Sequence, residues 1–140
     1  MTKNPETNHA HPNSHNTNDW PFTWNKKPIP KEISNNWQEI IDLIAKIFHV
    51  PSGLIMRVHP PTIEVFLASH TENNPYEIGE VAELDGLYCT TVMAQDEKLN
   101  ISNALTDPEW DENPDIELGM INYLGYPIKW PNGDTFGTIC

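Results

Sequence analysis

The side chains here that could do chemistry are two cysteines, a run of carboxylates, three histidines near the N-terminus and four aromatic residues. Cys89 and Cys140 match no zinc-ligand spacing and make no disulfide framework, so a reducing compartment suits them. A thiol becomes a nucleophile when a nearby cation or helix terminus lowers its pKa. The surroundings of Cys89 are acidic, so it is expected to be a small apolar helix residue facing a pocket or the core. The run "DPEWDENPDIE" invites a calcium test, because Asp107, Glu109, Asp111 and Asp115 fall at the first, third, fifth and ninth positions of a calcium loop. The sixth position must be Gly for the sharp turn and is Glu112, while the twelfth must be Glu and is Leu118. The match fails where geometry matters, and a solvated acidic loop is expected, with no metal site. His9, His11 and His15 lie in a polar tail that cannot fix a coordination geometry. Among Tyr88, Trp110, Tyr123 and Tyr126, Trp110 stands out: a large ring in a polar loop needs something to cover and a partner for its N–H.

These residues must be positioned by a chain of 140 residues, one domain's length. From Met1 to Asn18 there is no Leu, Ile, Val, Phe, Trp or Tyr, so nothing offsets the entropy of ordering that backbone. Residues 1–31 are therefore expected to be a disordered polar tail, and 32–140 the folded domain. Ser34 is placed to cap a helix to about His49, with Trp37, Ile40, Ile41, Ile44 and Phe48 on one face and Pro51 beyond its end. Gly53 to His59 and Thr62 to Ser69 alternate as two strands joined by Pro60-Pro61, an antiparallel pair with Leu54, Met56, Val58, Ile63, Val65 and Leu67 facing the core. His70 to Glu80 is polar loop. Leu84 to about Ala94 has helical spacing, with Asp85 as cap and Leu87, Tyr88, Thr91 and Val92 on one side. Leu99 to Ser102 is short and β-compatible, and Asn103 to Leu118 is an irregular loop. Leu124, Tyr126, Ile128 and Trp130 form one face of a strand that turns at Pro131-Asn132-Gly133-Asp134 into a return strand ending at Cys140. The order of elements argues for an α+β domain around an antiparallel sheet.

The formal net charge is -12. Fifteen of the twenty acidic residues fall in 62–140, the other five being Glu6, Asp19, Glu32, Glu39 and Asp42, against only Lys98 and Lys129 as bases there. Such a surface repels phosphate backbones, which argues against nucleic-acid binding. No apolar run has the length of a membrane span or the form of a secretory signal, so a cytoplasmic location without membrane contact is expected.

The run from "GLYCTTVMAQ" through "NALTDPEW" to "YLGYPIKWPNGDTFGTIC", with "HVPSGLIMRV" after the leading helix, resembles a GAF domain over about residues 34–140. GAF domains are small-molecule-sensing modules of bacterial signalling proteins, and the likeness is greatest to those that precede sensor histidine kinases or diguanylate cyclases. The resemblance implies an antiparallel sheet of about five to six strands, helices on one side and a ligand pocket on the other. In that topology Phe136–Cys140 pairs with Leu54–Val58. The family pattern continues with a long closing helix, so the chain is expected to be a fragment, truncated in its last strand, of a protein with an output domain beyond Cys140. Tyr88, Cys89, Thr91, Asn103, Trp110, Met120 and Tyr123 are implied as pocket residues, with Asn122 as a further polar group. Trp110 closes on the ligand or packs at the sheet edge; both readings stay open.

The implied function is regulatory and non-catalytic: binding a small molecule of unknown identity, with homodimerisation through terminal helices. No cofactor is identified. Bilin-attaching members place a His after the Cys, where Thr90 stands, and the Asn-Lys motif of cyclic-nucleotide binders has no counterpart. A free methionine-(R)-sulfoxide reductase-like enzyme and a ligand-free dimerisation scaffold are the alternatives.

Overall fold

The computed structural model of the chain describes residues 20–140. Residues 1–19, which include His9, His11 and His15 and most of the expected tail, lie outside the described residues. Residues 20–30 are not tail-like. Trp24 forms a parallel bridge with Thr135, the Thr135 N–H donates to the Thr23 carbonyl at 2.7 Å, and Trp20, Phe22 and Trp24 lie against the core. The buried Arg57 guanidinium donates to the Lys27 carbonyl and sits 5.2 Å from the Phe136 ring.

Helix α1 spans Lys31–Phe48. It starts one turn before the expected Ser34 cap, because the Pro30 carbonyl accepts from the Ile33 and Ser34 N–H groups and proline is suited to a helix start. Ser34 instead donates its hydroxyl to the Lys31 carbonyl at 3.0 Å. At the other end His49 takes a left-handed conformation, two residues ahead of Pro51. Strands β1 (Leu54–His59), β2 (Thr62–Ala68), β3 (Val81–Glu83), β4 (Leu99–Ile101), β5 (Tyr123–Lys129) and β6 (Thr135–Ile139) form one antiparallel sheet in the order β3-β2-β1-β6-β5-β4. This is the expected α+β architecture, with six strands and β6 central beside β1.

Successive residues of a strand face opposite sides, and that alternation divides the core. On the α1 side Ile41 packs with Ile55 and Phe136, and the Phe136 ring meets Trp37, Phe66 and Trp130 edge-on at 5.2, 5.5 and 5.8 Å. On the other side Leu54, Met56, Val58, Ile63 and Val65 pack against the helix α2 (Tyr88–Gln95) through Cys89 and Met93.

Several local expectations give way to the packing. An irregularity between Ile55 and Met56 shifts the β1–β2 register, so Leu67 joins Phe66 on the α1 side and Ala68 takes the core position. β3 falls in a stretch with no strand signal; its three residues are all exposed and gain only edge pairing with β2. α2 begins at Tyr88 rather than Leu84, because Asp85 and Gly86 form a turn with Gly86 at φ +76° and Leu87 takes the capping position. In the β5–β6 hairpin only Gly133 is left-handed, closing a turn in which its N–H donates to the Trp130 carbonyl at 2.9 Å. The expected apolar face of β5 is buried only toward its end: Ile128 and Trp130 join the α1-side core, whereas Leu124 and Tyr126 are exposed.

At Gly137 the backbone of β1 leaves no room for a side chain on β6. A Cβ there would collide with the Met56 carbonyl oxygen, so β6 can lie beside β1 only with glycine at this position. Gly137→Ala is expected to lower stability by roughly 2 kcal/mol or more, in the range of core overpacking, as measured by denaturant unfolding. A midpoint equal to that of the wild type would show that the strands have room to separate.

Candidate functional site

A cavity of about 720 Å³ opens on the α2 side of the sheet. Its volume falls within the roughly 300–1,000 Å³ usual for small-molecule sites. Met56, Ile63 and Val65 provide an apolar floor, and Leu87, Tyr88 and Cys89 line it from the start of α2. Met120, Asn122 and Tyr123 come from the approach to β5, Tyr76 from the loop after β2, and Asp115 from the acidic loop.

Two short-range devices hold this wall. Asn113 is buried; its amide donates to the Gly86 carbonyl at 3.0 Å while its side-chain oxygen accepts from the Asp115 N–H at 2.9 Å. The acidic loop is thereby fastened to the turn that starts α2. An aromatic column runs alongside: Trp110 lies 5.0 Å from Tyr88, and Tyr88 stacks on Tyr123 at 4.7 Å. The Tyr123 ring lies over Gly125, where a Cβ would occupy the same space.

The polar groups in the cavity include phenols, thiols and carboxylates beside the amides of Asn100 and Asn122 and the hydroxyls of Ser52 and Ser102. Tyr76 donates its hydroxyl to Asp115 at 3.0 Å. Burial pushes the Asp115 carboxyl above the usual carboxylate range, and the Tyr76 hydrogen bond only partly opposes it. Burial also raises the Tyr76 phenol, with the Asp115 charge adding to the effect. Glu80 and Asp115 are the charged residues of the lining, both acidic. The Ser52 hydroxyl, also on the wall, is buried and makes no hydrogen bond within the described chain.

Cys89 lies 3.3 Å from the Tyr123 hydroxyl and accepts from the Thr138 hydroxyl at 3.2 Å. Cys140, two residues beyond Thr138, packs against the same apolar cluster as Cys89 and lines the same cavity. The Cys140 hydrogen bond, joined by those from Thr138 and Tyr123, pulls the Cys89 pKa down against the opposing effect of burial. Cys140, half-buried beside Cys89 and acting as the donor to it, is raised, with desolvation adding to the effect.

Of the expected pocket residues, Tyr88, Cys89, Met120 and Tyr123 line the cavity, as does Asn122. Thr91, Asn103 and Trp110 do not. Thr91 lies half-buried elsewhere on α2, and Asn103 caps the 3₁₀ turn Ala104–Thr106 by accepting from the Leu105 N–H. Trp110 is buried behind Tyr88 with Ile101 and Ala104, so it supports the wall from outside. Sequence reasoning passed over Tyr76, Asp115 and Cys140 as pocket residues. Tyr76 carried the same signal as Trp110, a lone aromatic ring in a polar loop; Asp115 was weighed only as a calcium ligand. The acids of that loop serve separate local bonds: Asp107 accepts from the Glu109 N–H at 3.0 Å and Asp115 from Tyr76. Among the described residues no three His, Cys, Asp or Glu side chains are grouped to hold a metal ion, and no helix is long and apolar enough to cross a membrane.

Because the folded state raises the Asp115 pKa, folding favours its protonated form. The stabilising contribution is complete below the unfolded pKa and is lost as pH rises through the folded one. Asp115→Asn, which keeps an acceptor for Tyr76 without the charge, is expected to raise the melting midpoint at neutral pH. The gain should shrink as acid protonates the wild-type carboxyl. Paired melts between neutral and acidic pH check this; a gain unchanged in acid would show that the charge is not its source.

No protein-family model matches the chain, and no curated protein matches it. Solved structures do. The GAF domain of an Acinetobacter phosphoenolpyruvate-protein phosphotransferase is similar with a TM-score of 0.53 and 15% identity, over 73% of this chain and 60% of that one. The nlh2 GAF domain of A. aeolicus, in an inactive state, is similar with a TM-score of 0.56 and 15% identity, over 81% of this chain and 68% of that one. The six-stranded antiparallel sheet, with α1 on one face and α2 beside a cavity on the other, is thus the GAF fold.

Proposed function

We propose that the chain is a non-catalytic sensory domain that binds a small molecule in the cavity and modulates a downstream signalling output. The observation that carries this reading is the cavity itself: its floor is apolar and its wall aromatic, and its hydrogen-bonding groups converge on one space. A scaffold whose pocket is filled by its own side chains has less support, because Tyr88 and Trp110 pack on each other and leave the space open. The charged lining narrows the ligand class. With Asp115 and Glu80 both acidic, a phosphate or carboxylate would be repelled at short range, whereas a neutral or cationic apolar molecule is accommodated.

Sensing further requires that the ligand bind two conformations unequally, since equal binding shifts nothing. α1 is the element suited to carry the difference outward. Ile33, Ile40, Leu43 and Ile47 are exposed along it at spacings of seven, three and four, the pattern of a coiled-coil seam. We take this seam as the homodimer contact, with a histidine kinase or diguanylate cyclase as the output and the cytoplasm as the location. A second reading is favoured by one observation, the meeting of Cys89 and Cys140 at the cavity wall: a methionine sulfoxide reductase-like enzyme, which thiol-dependent turnover of free methionine sulfoxide would reveal.

Thermal melts against small aromatic amines, neutral aromatics and nucleotides should show midpoint rises only in the first two classes. Asp115→Asn should weaken the amines most. A rise with nucleotides alone would overturn the ligand class, and no rise with any compound in a broad metabolite library would favour the scaffold. For the dimer, light scattering of the full chain should give twice the monomer mass, falling to the monomer in the Ile40→Glu, Ile47→Glu double variant. A wild-type monomer at high concentration would remove the seam from the account.

A further inference from the structure

Cys89 stands in the first turn of α2 and Cys140 at the end of the central strand, so only the tertiary fold brings them together. Each is held from behind. Cys140 exchanges both backbone hydrogen bonds with Leu54, at 2.7 and 3.0 Å, and Cys89 is packed among Met56, Val58 and Met93 in the core. Both thiols are free and both line the cavity, which gives a small reagent a route to them. The hydroxyls of Tyr123 and Thr138 lie 3.3 and 3.2 Å from the Cys89 sulfur, and the Cys140 thiol packs against the same cluster and faces the same cavity. All of them can donate to a thiolate, so they compensate the anion that the acidic surroundings of the sequence would disfavour.

We propose that Cys89 and Cys140 form a reversible dithiol–disulfide pair on the cavity wall, oxidised by a small hydroperoxide and reduced by a low-molecular-weight thiol. The Cys89 thiolate attacks the outer peroxide oxygen, the O–O bond breaks, and an alcohol or water leaves, with Cys89 as the sulfenic acid. The Cys140 sulfur then attacks the Cys89 sulfur, its proton goes to the departing hydroxide, and water leaves as the S–S bond forms. The sum is two thiols and one hydroperoxide to one disulfide, one alcohol or water, and one water. Two molecules of a small thiol return the pair to the dithiol and leave as their own disulfide. In the oxidised form α2 is tied covalently to β6, and the thiol donor beside Tyr123 is gone from the wall. This chemistry does not depend on the ligand reading above, because its product is read on the protein itself.

The full reduced chain, treated with stoichiometric hydrogen peroxide, denatured in N-ethylmaleimide and weighed intact, reports the outcome directly. Maleimide uptake is expected to fall from two per chain to none, with a mass loss of two hydrogens and a Cys89–Cys140 crosslink in the peptide map. Prior exposure to a small thiol should restore both adducts. In Cys140→Ser, dimedone should trap the sulfenic acid on Cys89, several-fold more than it labels Cys140 in Cys89→Ser. Retention of two maleimides after peroxide, or bridges found only between chains, would overturn the proposal, and both are read on the wild-type protein. Stronger dimedone labelling of Cys140 would overturn the assignment of Cys89 as the attacking thiol.

Discussion

Everything in this fold depends on the pairing of β1 with β6. Ile55 lies opposite Ile139, Met56 opposite Thr138 and Arg57 opposite Gly137, joining the first and last strands at the centre of the sheet. The pairing is possible because Gly137 has no side chain to meet the Met56 carbonyl. It sets both faces at once. Toward α1 it presents Phe136 and Ile139; toward α2 it presents Thr138 and Cys140. Between the pairs Ile128–Gly137 and Lys129–Thr135 of the β5–β6 ladder, β6 carries one extra residue, Phe136, and this bulge lets it depart from simple alternation and makes the division work.

The α2 face shows how a cavity survives in a small domain. Val58 of the sheet is buried under α2 residues, yet α2 is only eight residues long and lies to one side. The uncovered part is walled by an aromatic column and by a loop that carries its own hydrogen bonds. That loop is acidic because it is solvated on its outer surface, and one of its carboxylates, Asp115, is turned inward to Tyr76. The electrostatic character of the cavity is therefore a consequence of how the loop is anchored, through Asn113, to the Gly86 turn.

On the other face coverage is uneven. α1 buries Ile41 and Ala45 but leaves Ile40, Leu43 and Ile47 in solvent, and beyond it Leu124 and Tyr126 of β5 are exposed. A helix with apolar residues on two sides has one side for its own sheet and a second that water covers poorly. The same helix thus belongs to the core and offers a surface.

Period and local chemistry were enough to read α1, β1, β2, β5 and β6, because each is a run in which apolar spacing repeats several times. They also gave the acidic loop its failure as a calcium site, since a missing Gly and a missing Glu are visible in any conformation. β3 was not legible: three exposed residues carry no period, and only the edge of β2 makes them a strand. The early start of α1 and the late start of α2 depended on Pro30 and Gly86, whose effect is set by the neighbouring backbone. Tyr88, Cys89, Met120 and Tyr123 were recognisable as wall residues, whereas Trp110 moved behind the wall because Tyr88 takes the inner place. Tyr76, Asp115 and Cys140 could not be placed from the sequence. What the sequence by itself determined was the set of elements and the faces they had to bury, because hydrophobic period is a local property. Which side chains share the cavity, and that two cysteines far apart in the chain meet there, was decided only by the β1–β6 pairing, because contact between distant residues depends on register and not on composition.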